Sequence, residues 1–200
     1  MDISNMNNIE SRVQSYWTKR AHNFNIVRKN ELNSSISERW REEIVHFLPE
    51  GKVLQILDVG TGSGILSIAA LKLGAGHAVG TDLDPCAISA TRENLEANQI
   101  PEGSMDVMIG NIIDDKAVQD KVGYGCYDIV VANILADVLV PLTPVIVNQL
   151  KDGGIYVTSG IIEDKEETVK AAVEAAGLTV LEVHHQGEWV SVTARKETKA

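Results

Sequence analysis

The sequence predicts a doubly wound α/β domain, built on a mostly parallel sheet that finishes in an antiparallel hairpin. Three observations carry that expectation. From Lys52 onward, short runs rich in Val and Ile alternate with helical patterns, the signature of crossover units that place helices on both faces of a sheet. The first run leads straight into GTGSG at 60–64, a turn with three glycines in five positions. The last two runs, LTVLEVHHQ (178–186) and GEWVSVTARK (187–196), have almost nothing between them, so only antiparallel pairing can join them.

Taken in order, the first fifty residues differ from the rest. Residues 9–23 and 35–48 read as polar helices, the second opened by Ser35 with Glu38 three positions on, a capping box that satisfies two orphan amides. This divides the chain into a helical amino-terminal extension over 1–52 and an α/β domain over 53–196. In the domain, Val53 to Val59 reads as a buried strand and Ile65 to Leu73 as a helix. HAVGTD (77–82) follows, then a helix over 86–98 started by Asp84 as its cap and Pro85 in its first turn. MDVMIG (105–110) and YDIVVANIL (127–135) are the next strands, leading to a helix that ends near Leu150. Pro141 and Pro144 are expected to delay or kink that helix, because proline lacks the amide hydrogen an interior turn requires. GGIYVTSG (153–160) is a strand, and the helix over 165–176 stops at Gly177.

Composition narrows the function classes. The chain has 200 residues, 44% hydrophobic, enough for one ordinary domain with a sizeable core. A formal charge of −10 argues against a nucleic-acid or anionic-membrane surface and suits a cationic partner better. No run reaches the roughly 18 apolar residues of a membrane span, and the polar start MDISNMNNIE has no signal-peptide core, which points to the cytoplasm. Cys86 and Cys126 have neither metal-type nor redox-type spacing and are expected to be reduced packing residues. His184 and His185 are neighbours on a strand, so they point to opposite faces and do not chelate one metal.

The glycine turn lies at the carboxyl end of the first strand, where an open parallel sheet binds ligands. Gly60, Gly62 and Gly64 clear side chains from the backbone and permit positive φ. The spacing G-x-G-x-G puts Ile65 where a dinucleotide fingerprint wants its third glycine, so a dinucleotide is disfavoured. Asp82 ends the second strand, where a carboxylate accepts hydrogen bonds from both hydroxyls of a ribose. Asp58 adds negative charge beside the turn, which repels phosphates and tolerates a cation. Asn133 closes the fourth strand beside the same crevice.

These motifs resemble class I S-adenosylmethionine-dependent methyltransferases. LDVGTGSG is similar to that family's first motif and GTDLDP to its second, while Asn111 of MIGN falls where the family keeps an acid or amide near the adenine. The resemblance implies a seven-stranded sheet of order 3-2-1-4-5-7-6 with the seventh strand reversed. From 57 to 196 it sharpens. LDVGTGSGILSIAALKLGAGHAVGTDLDP, VVANILADVLVPL, GGIYVTSGIIED and GEWVSVTARK resemble the catalytic domain of the ribosomal protein L-eleven methyltransferases, which act on lysine and terminal amines. That implies S-adenosyl-L-methionine as cofactor, held by Asp58, Gly60, Thr61, Gly62, Gly64, Asp82, Leu83, Asn111, Ile112 and Asn133, and Asn133 of NILA as the residue that orients the acceptor amine. The family's substrate-capture domain and its threonine-rich linker have no counterpart legible here. Residues 16–32, YWTKRAHNFNIVRKNEL, instead resemble the lead-in of ubiquinone/menaquinone-biosynthesis methyltransferases, which act on small molecules. The implied partner is thus a protein amine or a small-molecule acceptor, the alternative being a cofactor-binding module without turnover. Tyr16, Trp17, His22 and Phe24 are expected to pack on the sheet or cover the cofactor, and Trp189 to cover an apolar face of the hairpin.

Overall fold

The structure is a computed structural model, described here for residues 53–198. The two amino-terminal helices, the aromatic cluster at 16–24 and the extension over 1–52 lie outside the described residues.

One seven-stranded sheet runs through the domain in the order β3-β2-β1-β4-β5-β7-β6. Its strands are β1 (Gln55–Val59), β2 (His77–Asp82), β3 (Met105–Ile109), β4 (Tyr127–Asn133), β5 (Leu150–Ile162), β6 (Leu178–Gln186) and β7 (Trp189–Lys196). The first five pair in parallel, and β7 enters antiparallel between β5 and β6. The helices are α1 (Ile65–Lys72), α2 (Cys86–Ala97), α3 (Lys116–Val122), α4 (Ala136–Ile146) and α5 (Glu166–Ala175). Among the described residues no helix is long and apolar enough to cross a membrane.

The apolar runs explain the two-sided burial. In β4, Val130 and Ala132 join a core that includes Leu139, Leu142 and Ile146 of α4 and Val169 and Val173 of α5. Ile129 joins the opposite core with Ile56 and Ala78, against Ala70 and Leu71 of α1 and Leu95 of α2. Successive residues of a strand face opposite sides, so a central strand covered on both must be apolar throughout. Because β1 lies between β2 and β4, the connections leave it in opposite directions, and a crevice opens at its carboxyl end.

Several expectations need correction. The helix α3 was not read from the sequence at all. It is capped by Asp115, whose carboxylate accepts from the amides of Ala117 and Val118 at 2.9 and 3.4 Å. The helix expected to end near Leu150 stops at Ile146, and Leu150 instead opens β5, opposite Tyr127. The prolines do not delay α4: it begins at Ala136 and contains both Pro141 and Pro144. Cys86 and Cys126 are exposed rather than packed inside. Cys86 stands in the exposed first turn of α2, and the Cys126 thiol faces the Tyr124 carbonyl at 3.1 Å. Trp189 is half exposed, paired with Ile162 of β5 and Gln186 of β6.

Candidate functional site

The glycine turn is anchored to β2. The amides of Gly60 and Thr61 donate to the Thr81 carbonyl at 2.8 and 3.0 Å, and the amide of Gly62 donates to the Asp82 carboxylate at 2.8 Å. All three glycines have positive φ, at 72°, 52° and 77°. A Cβ on Gly60 would lie 2.5 Å from Ile134 Cγ2, and one on Gly64 would lie 2.7 Å from Thr91 Cγ2. Protein neighbours therefore hold those two positions to glycine. Only Gly62 opens onto space, with nothing nearer than 4.0 Å to its missing Cβ.

Asp58 and Asp82 divide the work on this turn. Asp58 is buried, and its Oδ2 accepts from the Ser67 hydroxyl (2.8 Å), the Thr61 hydroxyl (2.9 Å) and the Ser67 amide (3.2 Å). Burial pushes its carboxyl above the ordinary carboxylate range; the hydrogen bonds from Ser67 and Thr61 draw it part of the way back, and the nearby Asp82 charge adds to the rise. Asp82 is half buried and spends one oxygen on Gly62 and the other on the amide of Asp84 at 2.9 Å. A carboxylate has about four acceptor positions, so two remain for a ligand. The Asp84 carboxylate accepts from the Cys86 amide at 2.8 Å and starts α2, as the sequence predicts.

The crevice has a volume of about 600 Å³, within the ~300–1,000 Å³ of small-molecule clefts. Gly60, Asp82, Leu83, Asn111 and Ile112 line it, and Asp58, Thr61, Gly62 and Gly64 belong to the strand end and turn beside it. Asn133 is exposed at the end of β4, next to the lining residue Ile134. Asn111 turns its side-chain oxygen to the Ile113 amide at 3.1 Å, which folds the exit of β3 into a tight turn.

Sequence reasoning missed three participants, Gln119, Thr81 and Asp137. Gln119 of α3 donates its amide to the carbonyls of Ile112 and Ile113 at 2.9 and 3.2 Å, clasping the turn that forms one wall. No local signal announces it, because the contact depends on a helix that was not read. Thr81 lines the crevice, and its buried hydroxyl has no hydrogen-bond partner among the described residues. Ile134 touches the glycine turn from the opposite strand. Asp137, in the first turn of α4, lines the far side and pairs with Lys165 at 3.1 Å. Away from the crevice, His185 meets the Glu166 carboxylate at 2.7 Å, and both histidines of the pair are exposed.

A family model described as ribosomal protein L11 methyltransferase (PrmA) matches residues 39–197, four-fifths of the chain and beginning upstream of residue 57. The chain belongs to this family. Among ribosomal protein L11 methyltransferases, that of Agathobacter rectalis is 59% identical over 144 residues, covering 72% of this chain and 45% of the relative. That of Lachnospira eligens is 56% identical with the same coverage. The chain thus spans about half the length of the curated relatives it matches. A crystal structure of ribosomal protein L11 methylase from Lactobacillus delbrueckii subsp. bulgaricus is similar with a TM-score of 0.65 and 30% identity, covering 74% of this chain and 72% of that one. The [4+2]-cyclase SpnF shares the fold at a TM-score of 0.62 and 13% identity, covering 82% and 83% of the two chains. A fold shared with a cyclase leaves the reaction to be argued from the site.

Proposed function

We propose that this chain transfers the methyl group of S-adenosylmethionine to an amine nitrogen of ribosomal protein L11, a lysine or terminal amine, in the cytoplasm. Residues 53–196 are the donor-binding domain in this reading, and 1–52 a separate extension. One observation carries it: the Asp82 carboxylate grips the glycine turn while facing the crevice, so the turn's shape and the ribose site are one construction. Family membership and the relatives' names support the transfer and its acceptor.

The residues fit the donor. Two free acceptor positions on Asp82 match the two ribose hydroxyls, and Leu83, Ile112 and Leu142 give apolar walls for a flat base beside Asn111. The Thr81 hydroxyl supplies a polar group still without a partner among the described residues. Among the described residues the lining holds no basic side chain, which suits a cationic ligand over a phosphate. S-adenosylmethionine, when bound, supplies a methyl group on a sulfonium, an electrophile that needs no acid catalyst.

The protein's share is alignment and the exclusion of water. The amine must arrive neutral, and the Asn133 side-chain oxygen accepts one of its hydrogens, which turns the nitrogen lone pair toward the crevice. Leu135 and Val138, both exposed at the rim, supply apolar surface that closes against the acceptor. The proton released after transfer leaves to solvent, since Asn133 itself stands exposed.

Calorimetric titration with S-adenosylmethionine tests the donor site. Asp82→Ala removes charge-assisted hydrogen bonds and is expected to weaken binding about tenfold to a hundredfold. Equal binding by the variant, or preferential binding of a reduced nicotinamide cofactor, overturns the assignment. Labelled methyl transfer to purified L11 tests the acceptor: donor binding with no transfer to L11 leaves the cofactor site standing and removes the acceptor.

A further inference from the structure

We infer that Gly160 is a positioning residue for methyl transfer: the one-residue bulge it forms in β5 seats the Asn133 amide and the Ile134 peptide, and any side chain there unseats them. This rests on the reading of Asn133 as the group that orients the acceptor.

The bulge is visible in the pairing. On one side of β5 the parallel register with β4 runs from Ile129↔Ile155 to Asn133↔Ser159. On the other side, Thr158 faces Val192 and Ile161 faces Val190, so three steps along β5 match two along β7. The extra residue falls at Ser159–Gly160, at the height where β4 delivers Asn133. Bulges built on a left-handed glycine bend a strand and re-aim what lies beside it.

The geometry shows what is aimed. Gly160 has φ of +77°, and a Cβ built there would lie 2.8 Å from Asn133 Oδ1, 3.0 Å from the Ile134 carbonyl oxygen and 3.3 Å from the Ile134 nitrogen. Two of those three atoms are backbone and cannot swing aside. A side chain at 160 would push the amide oxygen off its seat and move the first peptide of the loop that follows β4. The absent methyl group therefore acts through Asn133 and needs no contact with either substrate.

Other glycines allow strain and collision to be separated. Gly177 has nearly the same φ, +81°, and among the described residues nothing lies within 4 Å of its missing Cβ. Gly160→Ala and Gly177→Ala in the full chain share the strain of a positive φ, and Gly160→Ala loses further stability to its collision with backbone atoms. Only Gly160→Ala loses kcat for the amine acceptor, by about tenfold to a hundredfold, the cost of a displaced reacting group. Gly160→Asn keeps the collision but tolerates positive φ better, so it regains part of the stability the alanine variant loses and still loses kcat. In an Asn133→Ala background, Gly160→Ala is expected to lower kcat no further, although its collision with the Ile134 peptide still costs stability. Equal kcat for the two alanine variants, recovery of kcat by asparagine, or losses that multiply in the double variant each overturn the inference while leaving Asn133 in place. Full transfer by Asn133→Ala alone overturns the underlying reading, and the inference with it.

Discussion

Asp58 shows how much can depend on one buried side chain. Its Oδ2 takes three hydrogen bonds, from two hydroxyls and one amide, and ties the glycine turn to the start of α1. Burial raises its folded-state pKa above the ordinary 3.8, so the native chain binds more protons than the unfolded chain between those two values. Its contribution to stability is therefore complete below about 3.8 and is lost as pH rises through the raised folded value. Asp58→Asn keeps an acceptor oxygen and cannot ionise. Chemical denaturation across a pH series is expected to show the variant gaining on the parent chain as pH rises; a constant difference contradicts the burial argument. At this scale the sequence was legible where chemistry is local. Asp82 and the three glycines could be placed from the strand–turn–helix pattern alone, and Asp84 from its neighbour Pro85. The reason for Gly60 was not legible, because the atom that excludes a Cβ belongs to Ile134, more than seventy positions away along the chain.

At the level of elements, α3 and the turn after β3 form one unit. The Asp115 cap starts the helix, and Gln119 reaches back from it to hold the carbonyls of Ile112 and Ile113. Gln119→Ala leaves those carbonyls at the wall of the crevice, where water can replace the lost bonds. The expected result is a stability change within about 1 kcal/mol but a several-fold weaker donor affinity by titration. Unchanged affinity would show that the wall holds itself. This helix escaped the sequence reading because it is only seven residues long and interrupts no strand, so it offers little periodicity. Its one clear signal, Asp115 before KAVQDKV, is a capping residue without the long apolar stripe that usually accompanies one. The prolines of α4 misled for a related reason: propensity describes an isolated helix, whereas burial of Leu139, Leu142 and Ile146 stabilises this one around them.

For the molecule as a whole, the larger core joins β1 and β2 to the terminal hairpin, from Leu57 through Val130 and Tyr156 to Val190, Val192 and Ala194. The hairpin is therefore a structural part of the domain, and β5 would be a bare edge without it. Val192→Ala opens a void beside a residue 1% exposed and is expected to cost about 2 kcal/mol. Unfolding followed by circular dichroism and by the fluorescence of Trp189, with Trp17 and Trp40 replaced by Phe, should shift together; a hairpin signal that shifts alone would mean the core is not continuous. Alternation of elements sufficed to read the parallel class and the closing hairpin. The placement of β7 between β5 and β6 came from resemblance, since pairing order is a long-range property that periodicity does not encode.

The contact between Gly60 and Ile134 joins the two halves of the crevice. On the proposed reading, the loop after β4 is the place to retarget the acceptor, and it leans directly on the turn assigned to the donor. Exchanging that loop for another family member's would alter donor affinity as well as acceptor choice, so the two properties are expected to evolve, and to be engineered, as a pair.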